Sequence, residues 1–198
     1  MSLVIALAAS REAVIGSDRR AIVFLGCSPV LEEELYSGQI EDDEKLADRA
    51  GELGVTFHIS DGREKVWKRG DLLVGEVTEI SLTLCRRRRI YLSPGASMQV
   101  DITSDEASVR AWGGVGCIVF GNRFTQNLAY QEVGLAGGRV NEALIKSILS
   151  KAGKNTASVS RECTVLRSIV KQSDPKAALL KALEEDCKEN GWRLCAPQ

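Results

Sequence analysis

Two apolar runs near the N-terminus constrain the fold more than any other feature of the chain. Residues 3–8 are all apolar, and after the polar residues 10–12 a second apolar run begins at Ala13 and ends in the polar string 17–20. Short, continuous apolar runs between polar boundaries are typical of strands without a solvent-facing side. The pattern therefore predicts a β-hairpin that is buried on both faces.

The rest of the chain groups into strands, a helix pair, strands and a last helix. Leucines at helical spacing after Pro29 predict a small helical insertion over residues 28–60. Further strands are predicted at 21–25, 55–59, 65–68, 72–77, within 78–103, at 113–120 and at 163–166, and helices at 124–136, 140–152 and from Pro175 to 189. This order favours one layered α+β domain over residues 1–198, with two sheets covered by helices.

Charge and composition exclude several classes of protein. The 26 basic and 27 acidic side chains nearly cancel, so we expect no nucleic-acid or anionic-membrane partner. No apolar run reaches the roughly 18 residues of a membrane span, and no basic region precedes the first apolar run, which predicts a cytoplasmic protein without membrane insertion. Six scattered cysteines and the single histidine His58 show no zinc-ligand spacing, so we expect reduced, mostly buried thiols and no metal or cofactor.

The start of the chain offers a nucleophile and a base on one residue. Met1 precedes the small residue Ser2, a context in which the methionine is removed, so we expect a mature chain that begins at Ser2. A free α-amine, with an ordinary pKa of about 7.7–8.0, is partly neutral near pH 7 and can take the proton of the serine hydroxyl. By itself this pair of residues is common and carries little information.

Residues 2–25 resemble the first hairpin of proteasome β subunits. That pattern has a nucleophile at the head of an apolar strand, an acidic residue sixteen positions later and an arginine two beyond it, which here are Ser2, Asp18 and Arg20. The family's catalytic lysine opens a later strand, and Lys65 is the candidate here, separated from Asp18 by the insertion. The resemblance implies an αββα fold of the N-terminal-nucleophile (Ntn) hydrolases; the alternative is that Asp18 and Lys65 form an ordinary surface ion pair.

Three further residues are carried over from the proteasome pattern. Ser158 falls at the position of the family's serine near the nucleophile's amine, with Ser160 beside it, while Asn155 replaces the family's carboxylate. An amide accepts a hydrogen bond but carries no charge, and both serines could equally be turn residues. Gly75 is the candidate for the backbone N–H that would stabilise an oxyanion.

A closer resemblance is to connectase, a proteasome-related protein family of methanogenic archaea. The matching segments are GSDRR at 16–20, LEEELYSG at 31–38, RAGELGVT at 49–56, VGEV at 74–77 and RRRIY at 87–91. The run at 31–38 is distinctive, because a proteasome subunit has no such element. The resemblance implies a protein ligase that cleaves a Lys-Asp-Pro-Gly-Ala-type sequence, holds the upstream part as an ester and passes it to an amine that starts with proline.

The same resemblance implies a protein substrate, the A subunit of the methanogenesis methyltransferase. Arg87 and Arg89 share one face of a predicted strand and could receive acidic residues of such a substrate, or could belong to a solvated edge strand. Two other functions stay open: a proteasome-like peptidase or amidohydrolase that releases its acyl group to water, and an inactive relative that only binds its partner.

Overall fold

The computed structural model describes residues 3–26, 28–80 and 85–195 of the chain. Within these residues the chain forms twelve strands and five helices, and the strands make three sheets. The strands are β1 Val4–Ala8, β2 Ala13–Asp18, β3 Ala21–Leu25, β4 Thr56–Ser60, β5 Val66–Arg69, β6 Leu72–Ile80, β7 Cys85–Ser93, β8 Ala96–Thr103, β9 Glu106–Gly113, β10 Gly116–Phe120, β11 Cys163–Ser168 and β12 Arg193–Cys195. The helices are α1 Pro29–Tyr36, α2 Asp43–Glu52, α3 Arg123–Leu135, α4 Glu142–Asn155 and α5 Pro175–Asn190.

The predicted N-terminal hairpin is confirmed. β1 and β2 pair antiparallel, and every residue of both strands is buried. Because successive side chains point to opposite faces of a strand, Leu3 and Ile5 pack on one side of the hairpin while Val4 and Ala6 pack on the other. The hairpin therefore needs a packed layer on each side.

Helices and a second sheet supply these two layers. The hairpin is the centre of a four-stranded antiparallel sheet in the order β10-β1-β2-β11. On one face, Leu128 of α3 and Ile145 of α4 join the core around the hairpin. On the other face, Ile15 packs in one cluster with Leu73 and Ile90 of the six-stranded sheet, whose order is β12-β9-β8-β7-β6-β5.

Helix α5 covers the outer face of the six-stranded sheet. Its residues Leu179 and Leu183 pack in one cluster with Val74. As predicted, the helix begins at Pro175, and the carboxylate of Asp174 caps its first turn. The layers run helix, sheet, sheet, helix, which confirms the predicted αββα sandwich.

The insertion has its own small core. Leu31 and Leu35 of α1 and Leu46 of α2 form a cluster that also contains Ala157. β3 pairs antiparallel with β4 in a two-stranded sheet, and Phe24 packs against the same cluster. Since Ala157 lies in the segment after α4, this cluster joins the insertion to the sandwich.

Two strand assignments differ from the sequence expectation. The run 113–120 is not a single strand, because β9 ends at Gly113, residues 114 and 115 form a bend, and β10 begins at Gly116. The pattern also gave no separate strand for β9 or for β12, which pairs parallel with β9 at the edge of the larger sheet.

The expectation of mostly buried cysteines is wrong for the side chains that the structure describes. Cys187 is buried, Cys163 is exposed, and Cys117 and Cys195 are intermediate. All four are free thiols. Burial raises the pKa of Cys117 to about 11, so this thiol is protonated at neutral pH.

Candidate active site

The open end of the hairpin brings Leu3 and Asp18 together. The backbone N–H of Leu3 donates to Oδ1 of Asp18 over 2.9 Å, and the N–H of Asp18 donates to the carbonyl of Leu3 over 3.2 Å. Asp18 is 0% exposed, so its carboxylate is removed from water and the N–H of Leu3 is one of the donors that replace water. Ser2, the predicted nucleophile, directly precedes Leu3 in sequence and lies outside the described residues.

Lys65 is the counter-ion of Asp18. It directly precedes β5, and its side chain crosses from the larger sheet to the end of β2. Its Nζ donates to Oδ1 and Oδ2 of Asp18 over 2.7 and 2.8 Å and to the carbonyl of Arg20 over 2.7 Å. Each of the three ammonium hydrogens thus has an acceptor.

The pair is not the ordinary surface ion pair of the alternative interpretation. The side chains of Lys65 and Asp18 are 1% and 0% exposed. Desolvation lowers the pKa of the Lys65 ammonium below its ordinary value, and the negative charge of Asp18 opposes that shift. The buried ammonium of Lys65 therefore gives up a proton more readily than that of a surface lysine. While it is protonated, its hydrogen bonds to Asp18 and Arg20 hold the positive charge in a fixed place.

Arg20 holds the carboxylate of Asp18 with its backbone and other segments with its side chain. Its N–H donates to Oδ2 of Asp18 over 2.8 Å. Its guanidinium binds both oxygens of Asp61 over 2.8 and 2.9 Å, both oxygens of Asp43, and the carbonyl of Ala157 over 2.8 Å. The two carboxylates raise the pKa of Arg20 above its ordinary value.

Ser160 borders Asp18. Its backbone N–H donates to Oδ2 of Asp18 over 3.5 Å, while its hydroxyl accepts from the N–H of Arg19 over 2.9 Å and donates to the carbonyl of Glu162 over 2.6 Å. The hydroxyl is therefore occupied by backbone groups, and the N–H is the part of Ser160 that faces the carboxylate.

Ser158 belongs to a separate buried cluster. Its hydroxyl contacts Nδ2 of Asn122 at 3.2 Å and Oγ1 of Thr156 at 3.0 Å. Asn122 also caps α3, accepting from the N–H of Thr125 over 2.8 Å. Asn155, which replaces the proteasome carboxylate, ends α4 and is exposed. The cluster fixes the turn after α4 to the start of α3.

The structure places Gly75 inside the sandwich, which corrects its assignment as an oxyanion donor. A Cβ at this position would lie 2.6 Å from Cδ1 of Ile15 and 3.1 Å from Cγ1 of Val4. The N–H of Glu76 donates to the carbonyl of Lys65, which directly precedes β5, over 2.8 Å, so strand alternation directs the N–H of Gly75 towards β7. Gly75 permits the close approach of the two sheets instead.

The second corrected residue is Arg89. Arg89 shares one face of β7 with Arg87, as predicted. The guanidinium groups of Arg89 and Arg87 both lie over the ring of Trp192, at 4.9 Å and 4.6 Å from its centroid respectively. Arg89 is 7% exposed and binds Asp186 over 2.5 Å and Glu76 over 2.7 and 2.9 Å. Its charge is neutralised inside the protein, and β7 lies between β6 and β8, not at an edge. Substrate binding by Arg87 stays a prediction.

The described residues contain neither a metal-binding cluster nor a membrane-spanning helix. Among residues 3–26, 28–80 and 85–195, no three His, Cys, Asp or Glu side chains are arranged to hold a metal ion. No helix in this part of the chain is long and apolar enough to cross a membrane.

Comparison with protein families decides the relationship. The family model described as "Connectase MJ0548-like, N-terminal domain" matches residues 1–188, which is nearly the whole chain. The chain belongs to the connectase family. No curated protein matches this connectase-family chain.

Solved structures give weaker likenesses to this connectase-family chain. Thiobacillus denitrificans BPH in complex with epoxomicin is 10% identical, with a TM-score of 0.49 over 85% of this chain and 99% of that one. HslV from Trypanosoma brucei is 11% identical, with a TM-score of 0.46 over 83% of this chain and 98% of that one. An Anbu mutant from Hyphomicrobium sp. strain MC1 is 8% identical, with a TM-score of 0.41 and 96% of each chain covered. All three TM-scores are below 0.5, so the αββα assignment of this connectase-family chain rests on the order of its own layers.

Sequence reasoning missed three polar residues around the site. Asp43 and Asp61 bind Arg20, and Asn122 binds Ser158. A signal for the first two existed, because an arginine in a pattern that places it beside a buried hairpin needs a counter-charge. In this connectase-family chain Asp43 of the insertion and Asp61 just after it supply that charge.

Proposed function

We propose that this connectase-family chain is a sequence-specific transpeptidase with Ser2 as its N-terminal nucleophile. The observation that carries the proposal is the buried pair of Lys65 and Asp18, whose carboxylate is hydrogen-bonded to the N–H of Leu3. A buried ammonium with a lowered pKa, next to the residue that follows Ser2, is the arrangement that an N-terminal hydroxyl nucleophile needs.

The reaction begins once removal of Met1 leaves Ser2 with a free α-amine. The amine takes the hydroxyl proton, the oxygen attacks the scissile carbonyl carbon, and the C–N bond breaks. The departing amine receives the proton, and the acyl group stays on Ser2 as an ester. An incoming amine then attacks the ester carbonyl and gives up a proton to the α-amine of Ser2, the C–O bond of the ester breaks as the new peptide bond forms, and the proton returns to the serine oxygen.

Each described residue has a separate role in this scheme. The ammonium of Lys65 favours negative charge on the oxygen of Ser2 and lowers the pKa of its hydroxyl. Asp18 holds the ammonium, and the N–H groups of Arg20 and Ser160 hold Asp18. Ser158 fixes the turn that carries Ser160.

Family membership supports the choice of substrate. We propose a Lys-Asp-Pro-Gly-Ala-type cleavage sequence, an incoming amine that starts with proline, and the A subunit of the methanogenesis methyltransferase as protein partner in the cytoplasm. The reaction as proposed uses neither a metal nor an organic cofactor, and no nucleic acid takes part.

Two tagged proteins test the proposal, one with the cleavage sequence and one with a free Pro-Gly-Ala start. A joined product, together with an intact mass that lacks Met1, is expected. Fragments without joined product would identify a hydrolase. Binding without cleavage, or a retained Met1 on protein purified from its host, would identify an inactive binding relative. The Ser2→Ala variant must lose the ester adduct with the substrate peptide.

A further inference from the structure

The carboxylates of Asp43 and Asp61 hold the guanidinium of Arg20 from two sides. Asp43 lies in the first turn of α2 inside the insertion, and Asp61 follows β4 directly after the insertion, so both charges reach one arginine. The side chain of Arg20 is 8% exposed, while those of Asp43 and Asp61 are 56% and 39% exposed. The nearly buried cation therefore depends on two acids that reach in from the surface.

The backbone of Arg20 holds both members of the buried pair. Its N–H donates to Oδ2 of Asp18 over 2.8 Å, and its carbonyl accepts from Nζ of Lys65 over 2.7 Å. Both groups flank one Cα atom, so a shift of that atom changes the position of the carboxylate and of the ammonium together.

Further hydrogen bonds connect Arg20 and the preceding Arg19 to neighbouring segments. Nη1 of Arg20 donates to the carbonyl of Ala157 over 2.8 Å, and the N–H of Ala157 donates to the carbonyl of Ile40 in the insertion over 3.0 Å. The N–H of Arg63 donates to the carbonyl of Arg19 over 3.1 Å. The insertion thus reaches Arg20 through Asp43 and through the segment that carries Ser160.

We infer that Asp43 and Asp61 are positioning residues for Lys65 and act on it through Arg20. The inference rests on the proposed function, which makes Lys65 the group beside the nucleophile. Neither acid contacts the reacting atoms in this scheme. They fix the guanidinium, the guanidinium fixes the backbone of Arg20, and that backbone fixes the catalytic pair.

The competing explanation is that these acids bind a basic side chain of the substrate directly. Their geometry opposes it, because both oxygens of each acid bind Arg20. Direct binding and positioning also differ in kinetics: loss of direct binding raises KM, while loss of positioning lowers kcat.

Steady-state kinetics of ester formation separate the two. The variants are Asp43→Asn, Asp61→Asn and their combination, with Asp48→Asn as the matched control, since Asp48 is an exposed acid of the same helix. We expect the double variant to lose roughly tenfold to a hundredfold in kcat, with KM within about twofold, because small displacements of catalytic groups cost rates of this order. Asp48→Asn should match the unchanged enzyme.

A double-mutant cycle with Arg20→Lys tests whether Asp43 acts on Lys65 through Arg20. A lysine keeps the charge but cannot bind two carboxylates in bidentate fashion. In that background Asp43→Asn should have less than half of its effect on kcat, measured as the logarithm of the rate ratio. An undiminished effect, or a rise in KM alone, would overturn the inference.

NMR of the Lys65 ammonium gives a readout that does not need activity. In protein labelled at lysine Cε, the Lys65 resonance should shift in Asp43→Asn and Asp61→Asn and stay unchanged in Asp48→Asn. An unchanged Lys65 resonance in folded Asp43→Asn and Asp61→Asn protein refutes the positioning role. Absence of an ester with the unchanged protein refutes the proposed function instead, so the two failures are distinguishable.

Discussion

Asp18 is the residue on which the catalytic pair depends. Its buried carboxylate accepts hydrogen bonds from the backbone of Leu3 and Arg20 and from the ammonium of Lys65. Removal of such charges from water costs several kcal/mol for each ion, which hydrogen bonds and mutual attraction offset only while both partners are present. Stability and chemistry are therefore coupled at this residue.

Substitution of Lys65 with methionine should expose that coupling. Methionine keeps a similar shape but leaves the carboxylate of Asp18 buried without a counter-charge. We expect the free energy of unfolding to fall by about 3–5 kcal/mol in urea denaturation, and ester formation to be lost. Lys68→Met changes an exposed lysine three residues away and should alter stability by less than about 0.5 kcal/mol. Equal effects of the two substitutions would contradict the assignment.

At the scale of secondary-structure elements, helix α4 and the segment after it pack without space for a side chain at Gly153. A Cβ there would lie 2.6 Å from the carbonyl oxygen and 3.0 Å from the carbonyl carbon of Ser160. Backbone atoms cannot rotate away as a side chain does. The helix therefore sets the position of the N–H with which Ser160 contacts Asp18.

Gly153→Ala should consequently destabilise the protein, although alanine is the better helix former. We expect the overpacking to cost about 1–3 kcal/mol and the rate of ester formation to fall. Gly51→Ala is the control, because this glycine lies in α2 with nothing within 4 Å of its Cβ position. In Gly51→Ala the higher helix propensity of alanine acts without overpacking, and it should stabilise the protein by about 0.5–1 kcal/mol. Thermal unfolding of both variants checks the opposite signs.

The ion pair between Asp61, which follows β4, and Arg20, which follows β2, should also respond to acid. Arg20 lowers the pKa of Asp61 below its ordinary value. A depressed folded-state pKa adds stability that is complete above the unfolded value of about 3.9 and is lost as pH falls through the folded value. Asp61→Asn should therefore reduce stability at pH 6 and flatten its fall below about pH 4. Urea midpoints from pH 6 to 2 measure this, and identical slopes would rule the contribution out.

At the scale of the whole molecule, the features that could be predicted from the sequence are those set by residues close together in the chain. Continuous apolar runs indicated the doubly buried hairpin, and the Asp174–Pro175 pair indicated the start of α5. Local patterns do not contain the contact between Asp18 and Lys65, which are 47 residues apart. The pair was inferred from the proteasome resemblance. The longer stretch of chain between Asp18 and Lys65 does not oppose that inference, because loop closure costs little more entropy as a loop lengthens.

The remaining errors share one physical cause. Gly75 was predicted as a site residue from the proteasome pattern, and Arg89 from its place beside Arg87 on one face of a predicted strand. Their partners come from elements distant in sequence, namely β1 and β2 for Gly75 and α5 for Arg89. Which face of a strand meets which layer is decided by the packing of the whole sandwich, so composition and spacing leave it open.

The contact at Gly75 offers a test of how the two sheets fit together. In Gly75→Ala the new Cβ would lie 2.6 Å from Cδ1 of Ile15, and we expect a loss of about 1–3 kcal/mol from overpacking. Ile15→Val removes that Cδ1 and should cost about 0.5–1.5 kcal/mol alone. Combined, the two substitutions should cost less than their sum, because the smaller side chain makes room for the new methyl group.

Unfolding free energies of the two single variants and the double variant measure this coupling. Gly116→Ala provides the control, since this β10 glycine has nothing within 4 Å of its Cβ position, and its effect should simply add to that of Ile15→Val. If the losses at Gly75 and Ile15 were also additive, the sheets would have to be separated further than the structure places them. A recovery of about 1 kcal/mol or more in the double variant would instead show that Gly75 serves the packing of the sheets.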